Sequence, residues 1–213
     1  MLLGAVDLGS NSFRVEIGRL EGDSIHTQNY LKETVRLAGG FDDKGALTPE
    51  IQARALAALA RFNERLAGLP STQVRAVGTQ AMRVATNAAD FLKKAEETLG
   101  YRIDILSGHE EARLVFKGCA HTLPLSDKRR LVVDIGGAST EIIIGKGLEL
   151  NAMKVSVWAA STRPSASFVK AKLRRSRLIA RLQLVPQSLR NLSLRLDAAL
   201  TMSAMVQQAR SEL

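Results

Sequence analysis

The chain has 213 residues, 46% of them hydrophobic and 24% charged, with a formal net charge of +9. That is enough for one large domain or two small ones with real cores, in the composition of an ordinary soluble globular protein. No apolar run is long enough to span a bilayer, and the single cysteine, Cys119, excludes a disulfide framework and implies a reducing, cytoplasmic setting.

Leu2 to Leu8 is an apolar run that carries Asp7 near its end and breaks at Gly9-Ser10-Asn11-Ser12, the pattern of a strand feeding a tight turn. It is short and lacks a basic leader, so it reads as a first strand rather than a signal peptide. Phe13 to Leu20 alternates as the returning strand, Ile25 to Leu37 is predicted as a third strand with its flanks, and residues 38–45 as loop. Thr48, Pro49 and Glu50 mark a helix start, followed by the apolar stripe Ile51, Ala55, Leu59, Phe62 and Leu66, with Gly68 as its stop. Gln73 to Val77 predicts a strand. Asn87 is placed to cap a helix through Leu99 with Gly100 as its end, and Ile103 to Leu106 predicts another strand. A helix opens at Gly108 and runs to about Lys117. Leu131–Ile135 and Thr140–Ile144 are strands joined by Gly136-Gly137-Ala138-Ser139. Alternating strands and helices indicate an α/β layer architecture, with no fixed-period repeat and no low-complexity segment.

The charge is unevenly placed. Residues 158–213 hold ten basic and two acidic side chains, +8 of the +9, which leaves +1 for everything before Trp158. A polyanion-binding function drawn from net charge therefore rests on that segment alone.

Two turns share one chemistry: Asp7-Leu8-Gly9-Ser10-Asn11-Ser12, and Asp134-Ile135-Gly136-Gly137-Ala138-Ser139-Thr140-Glu141. Each sets a carboxylate at a strand end, then small residues that let backbone N–H groups approach an anion, then hydroxyl donors. A carboxylate beside phosphate is repelled unless a metal mediates, so Asp7 and Asp134 point to Mg²⁺ held through water. One such turn alone is an ordinary β-hairpin; the pair favours phosphate binding. Other residues carry plainer readings. Glu110 and Glu111 open a helix, where acids favour the dipole, and Arg83 alone is a surface cation. His109 and His121 lack partners at ligand spacing, and Cys119 reads as a small packing residue.

Four segments together are specific: residues 7–13, 78–87, 105–114 and 133–141. Asp7-Leu8-Gly9-Ser10-Asn11-Ser12-Phe13, Gly78-Thr79-Gln80-Ala81-Met82-Arg83, Ser107-Gly108-His109-Glu110-Glu111-Ala112-Arg113 and Asp134-Ile135-Gly136-Gly137-Ala138-Ser139-Thr140-Glu141 resemble, in order and spacing, the exopolyphosphatase/guanosine pentaphosphatase family. That resemblance covers Met1 to about Val157. It implies an actin-like (ribonuclease H-like) fold, with residues 1–125 as the first lobe and 126–157 as the start of a second that carries the second phosphate loop.

The resemblance further implies that Glu111 is the base activating the attacking water. Asp134 and Glu141 would assist at the terminal phosphate, Asp7 and Asp134 would hold Mg²⁺, and Arg83 would face the phosphate chain. Gly9, Ser10, Asn11, Ser12, Gly136, Gly137, Ala138, Ser139 and Thr140 would bind phosphate. The implied reaction removes the terminal phosphate of inorganic polyphosphate or the 5′ γ-phosphate of guanosine pentaphosphate, and a homodimer is a family expectation. Phosphoryl transfer suits such parts, since it needs positioning, charge neutralisation and an oriented water. A sugar or acetate kinase of the same superfold is disfavoured by the 107–111 segment, which resembles the hydrolases.

Two departures from the family stand out. Ala138 occupies a position that is usually glycine there, which matters only if φ is positive or phosphate comes very close. After Trp158 the family's Gly-Cys-Val element and second lobe are replaced by an Arg- and Ser-rich segment. Read one base earlier, the codons from Val157 permit Gly, Cys and Val in turn, which points to a shifted reading frame and a truncated second lobe of low activity. Residues 167–183 could form a basic amphipathic helix, which gives the alternative of a non-catalytic phosphate- or polyanion-binding module; nucleic acid is disfavoured because aromatic residues are sparse there.

Overall fold

The computed structural model describes residues 1–157 except 23 and 125. The predicted basic segment 158–213, including the helix expected over 167–183, lies outside the described residues. Β1 (Leu2–Leu8), β2 (Ser12–Glu21) and β3 (Ser24–Thr34) form an antiparallel meander. Helix α1 (Pro49–Leu66) carries the chain to β4 (Val74–Gly78), which pairs parallel to β1. Short α2 (Gln80–Val84) and α3 (Ala88–Leu99) lead to β5 (Ile103–Ile105), completing a sheet of order β3-β2-β1-β4-β5. Helix α4 (Gly108–Thr122) then crosses to a second antiparallel sheet, β6 (Arg129–Ile135), β7 (Ser139–Lys146) and β8 (Glu149–Val157), in the order β6-β7-β8.

The alternation of β1 puts Val6 and Leu8 into the main core and Leu3 and Ala5 on the opposite face. The α1 stripe Ile51, Ala55, Leu59, Phe62 and Leu66 covers the first face together with Phe91, Ala95 and Leu99 of α3. Large side chains such as Phe62 and Phe91 are fully buried, each stabilising by about 1.5–3 kcal/mol. Thr48 caps α1 by accepting from the Ile51 N–H at 3.5 Å, and Gly100 ends α3 with φ of 78°, a left-handed conformation that glycine adopts without strain.

Several elements differ from the sequence expectation. The third strand ends at Thr34, because the Val35 and Arg36 N–H groups turn back to the Asn11 carbonyl at 3.2 and 2.8 Å. Asn87 does not cap α3 with its side chain; it bridges to Leu47, accepting from the N–H at 2.8 Å and donating to the carbonyl at 3.0 Å. Helix α4 continues through Gly118 to Thr122, since Cys119 and Ala120 prolong its buried face. Helix α2 and strand β8 are elements that the sequence pattern does not predict.

That α4 face (Ala112, Val115, Phe116, Cys119 and Ala120) packs on Val132 and Ile143 of the second sheet, while Leu114 meets Val77 and Leu106 on the first. The helix is thus the hinge-pin between the sheets, and whatever stands at its N-terminus stands between them.

Candidate active site

The two loops leave equivalent places in two similar three-stranded meanders, after β1 and after β6. They meet. A Cβ placed on Gly137 would lie 3.0 Å from Asn11 Cβ and 3.2 Å from Asn11 N, so the second loop touches the first where only glycine fits without displacement. Gly9 is similarly tight, with a Cβ reaching to 2.8 Å from the Ser12 carbonyl. Ser10 Oγ accepts from the Ala81 N–H at 3.1 Å and ties the first loop to α2. The second loop is closed by Gly136 N–H donating to the Ser139 carbonyl at 2.9 Å. Ala138 is nearly buried and is not among the described residues with positive φ, so its methyl group brings no backbone strain.

The two aspartates have opposite neighbours. In the β1–β2 register Asp7 faces Arg14, and Arg14 Nη1 lies 3.3 Å from Asp7 Oδ2. In the β6–β7 register Asp134 faces Glu141, a like-charged pair. Glu141 is 1% exposed, and neither carboxylate oxygen has a partner at full hydrogen-bond geometry among the described residues, although the Ser139 side chain stands close enough to draw its carboxyl down. Burial pushes its carboxyl up to about 7, with the negative charges of Glu111 and Asp134 adding to the rise and Ser139 and Arg83 opposing it.

Glu111 comes to this place through α4. Ser107 caps the helix by accepting from the Glu110 N–H at 3.1 Å. One turn on, the adjacent acids divide: Glu110 pairs outward with Arg113, while Glu111 points inward, 8% exposed. Glu111 Oε2 accepts from Arg83 Nη1 at 2.9 Å. Burial raises the Glu111 carboxyl and Arg83 pulls it back down. The edge of Arg83 expected to fork onto phosphate is already used, with Nε and Nη2 both donating to Gln80 Oε1 at 3.1 and 2.7 Å. His109 and His121 are exposed, and Cys119 is buried in the α4 interface with its thiol pushed up to about 12 by burial and by Asp134.

Glu111, Arg83, Asp134 and Glu141 are therefore brought together beside two touching loops. Sequence reasoning missed Gln80 and Ser107; the signal was available in the i, i+3 spacing of Gln80 to Arg83 and in Ser107 standing three residues before Glu110.

No group of three or more His, Cys, Asp or Glu side chains is arranged to hold a metal among the described residues. Mg²⁺ does not need one, since it is usually held by one or two carboxylates plus substrate phosphates and water. The like-charged Asp134–Glu141 pair, with the orphaned Glu141 oxygens, fits an arriving cation.

Two sheets, each opening in an Asp-ended hairpin loop and set against each other, define an α/β protein of the actin-like fold class. The exopolyphosphatase of Cytophaga hutchinsonii has this fold: TM-score 0.69, 28% identity, over 81% of this chain and 53% of that one. So does the Ppx/GppA enzyme of Aquifex aeolicus, with TM-score 0.68 over 82% of this chain and 61% of that one, at 23% identity, a likeness of fold alone. The profile of the Ppx/GppA phosphatase family matches residues 17–206, and the chain belongs to that family. It is 48% identical over 152 residues to a guanosine-5′-triphosphate,3′-diphosphate pyrophosphatase of Photobacterium profundum, over 71% of this chain and 30% of the relative. The corresponding Vibrio vulnificus protein is 49% identical over the same length. The chain thus spans about a third of the length of these curated relatives. The family profile runs on past Val157, where the four-motif resemblance ends.

Proposed function

We propose that this chain forms the phosphate-gripping, water-activating part of a phosphoanhydride hydrolase. Its reaction removes the terminal phosphate of inorganic polyphosphate or the 5′ γ-phosphate of guanosine pentaphosphate. The relatives' names support both substrates, and the observation that carries the reading is Glu111, buried beside two touching loops and held by Arg83. Backbone N–H groups of residues 9–12 and 137–140 donate to the phosphate oxygens, Gly136 holds the second loop closed through Ser139, and Ser and Thr hydroxyls add donors. Glu111 takes the proton from the attacking water. Burial raises its carboxyl, and the Arg83 contact pulls it back down. Asp7 and Asp134 would hold Mg²⁺ through water, and the ion would neutralise charge on the phosphate oxygens. Among the described residues no helix is long and apolar enough to cross a membrane; a cytoplasmic site of action accords with the free, buried Cys119.

The test is phosphate release from polyphosphate and from guanosine pentaphosphate with Mg²⁺, comparing the protein with Glu111→Gln. The variant keeps the shape and loses the base, so release should fall by about 10²–10⁴-fold. Undiminished release in a folded Glu111→Gln protein would refute the assignment.

A further inference from the structure

Gln80 is 7% exposed, and its side-chain carbonyl takes two of the five N–H donors of Arg83, from Nε at 3.1 Å and Nη2 at 2.7 Å. Arg83 Nη1 spends its two on the Leu106 carbonyl at 2.6 Å and on Glu111 Oε2 at 2.9 Å. The guanidinium is planar, so fixing one edge fixes the direction of the other. Both contacts are needed for that direction: Leu106 anchors a point, and Gln80 prevents rotation about it.

The rotation has somewhere to go. Arg83 holds Glu111 on α4 and is close enough to Glu141 on β7 to act on its carboxyl, and Glu141 in turn faces Asp134 on β6. An unrestrained Arg83 would be drawn toward that second acid pair. Helix α2 is a single short turn, and the i, i+3 spacing puts residues 80 and 83 on one side of it, so the restraint is built into the same element.

We propose that Gln80 is a positioning residue: it holds Arg83 by one edge so that the other is aimed at Glu111 rather than at the acids of the second loop. This rests on Glu111 being the base. Gln80 is predicted to touch neither substrate nor water.

The test is carried out on the whole chain labelled with ¹³C at the glutamate carboxyls and ¹⁵N at arginine, with Glu111→Gln used to assign the Glu111 signal. In Gln80→Leu, which removes the acceptor at nearly the same volume, the Arg83 Nε–H should exchange at least about tenfold faster. The Glu111 carboxyl should titrate higher by about half a pH unit or more, as it loses a fixed cation. Gln80→Glu keeps an acceptor at the same reach and should retain the slow Nε–H exchange, with its resonance moved downfield by the charge-assisted bond. A folded Gln80→Leu protein whose Glu111 titration and Nε–H exchange match the parent overturns the proposal. If Gln80→Leu does not fold, Gln80→Glu decides alone, and an unmoved Nε–H resonance there overturns it. Phosphate release unaffected by Glu111→Gln would instead refute the base while leaving these spectroscopic results standing.

Discussion

Replacing Glu141 by glutamine should make the protein more stable, and only above acidic pH. The carboxyl is 1% exposed, faces Asp134 across the β6–β7 ladder, and has at most the Ser139 side chain to offset its burial, with no partner at full hydrogen-bond geometry among the described residues. Its folded-state titration lies at about 7 against an ordinary 4.5. Below about 4.5 the group is protonated in both folded and unfolded chains and costs nothing. Between there and about 7 the unfolded chain has ionised it and the folded chain has not, so stability falls as pH rises, by up to about 1.4 kcal/mol per pH unit. Above about 7 the full penalty is present, about 2–3 kcal/mol once relaxation and water access are allowed for. Glu141→Gln removes the charge and keeps the shape. In metal-free buffer, urea unfolding followed by circular dichroism should show the variant ahead by about 2 kcal/mol at pH 8 and level with the parent near pH 4.5. A gap of the same size at both pH values would refute the reasoning, because the penalty would then not be ionic.

Asn87→Ala strands the Leu47 N–H and leaves its carbonyl with Gln52 Nε2 alone, at 2.7 Å, so chemical denaturation should show a loss of about 1–3 kcal/mol, more than a surface alanine substitution gives. In the second loop, Gly137→Ala drives a methyl group into Asn11 and should weaken binding of inorganic phosphate measured by calorimetry. Ala138→Gly, at a position without positive φ, should leave that binding unchanged and lower stability by no more than about 1 kcal/mol.

What the sequence disclosed was local, and what it hid was tertiary. Thr48-Pro49-Glu50 and Gly100 mark helix ends by chemistry confined to one turn, and both were placed correctly. The two Asp-ended loops were visible for the same reason. Strand β8 was not, because a register shift opposite Ile144 and Gly145 leaves Leu150 and Met153, three apart, both packed on the same core, so the period of two is broken. Asn87 looked like a cap because its true partner, Leu47, is forty positions away. The choice of Glu111 over Glu110 came from resemblance; the reason for it is Arg113, which engages Glu110 one helical turn later and leaves its neighbour to face inward.

The position of Glu111 is in turn set by packing some distance from it. Gly145 of β7 lies under α4 so closely that a Cβ there would come within 2.4 Å of the Glu149 carbonyl and closer still to the Phe116 ring. Val115 and Cys119 pack in the same cluster against the second sheet, so displacing the ring presses on α4. Glu111 is one turn and a residue before Phe116 on the same rigid helix, so displacement at the ring is carried to the carboxylate. Gly145→Ala should therefore cost about 1–3 kcal/mol of stability through overpacking and also reduce phosphate release, although the substitution is remote from both loops. Adding Phe116→Leu relieves the contact with the ring, though not that with the Glu149 carbonyl, and should restore part of the release even while it removes buried surface of its own. A stability loss with full activity in the single variant would mean that the sheet, not the helix, gives way. Glu111 would then owe its place to Ser107 and Arg83 alone.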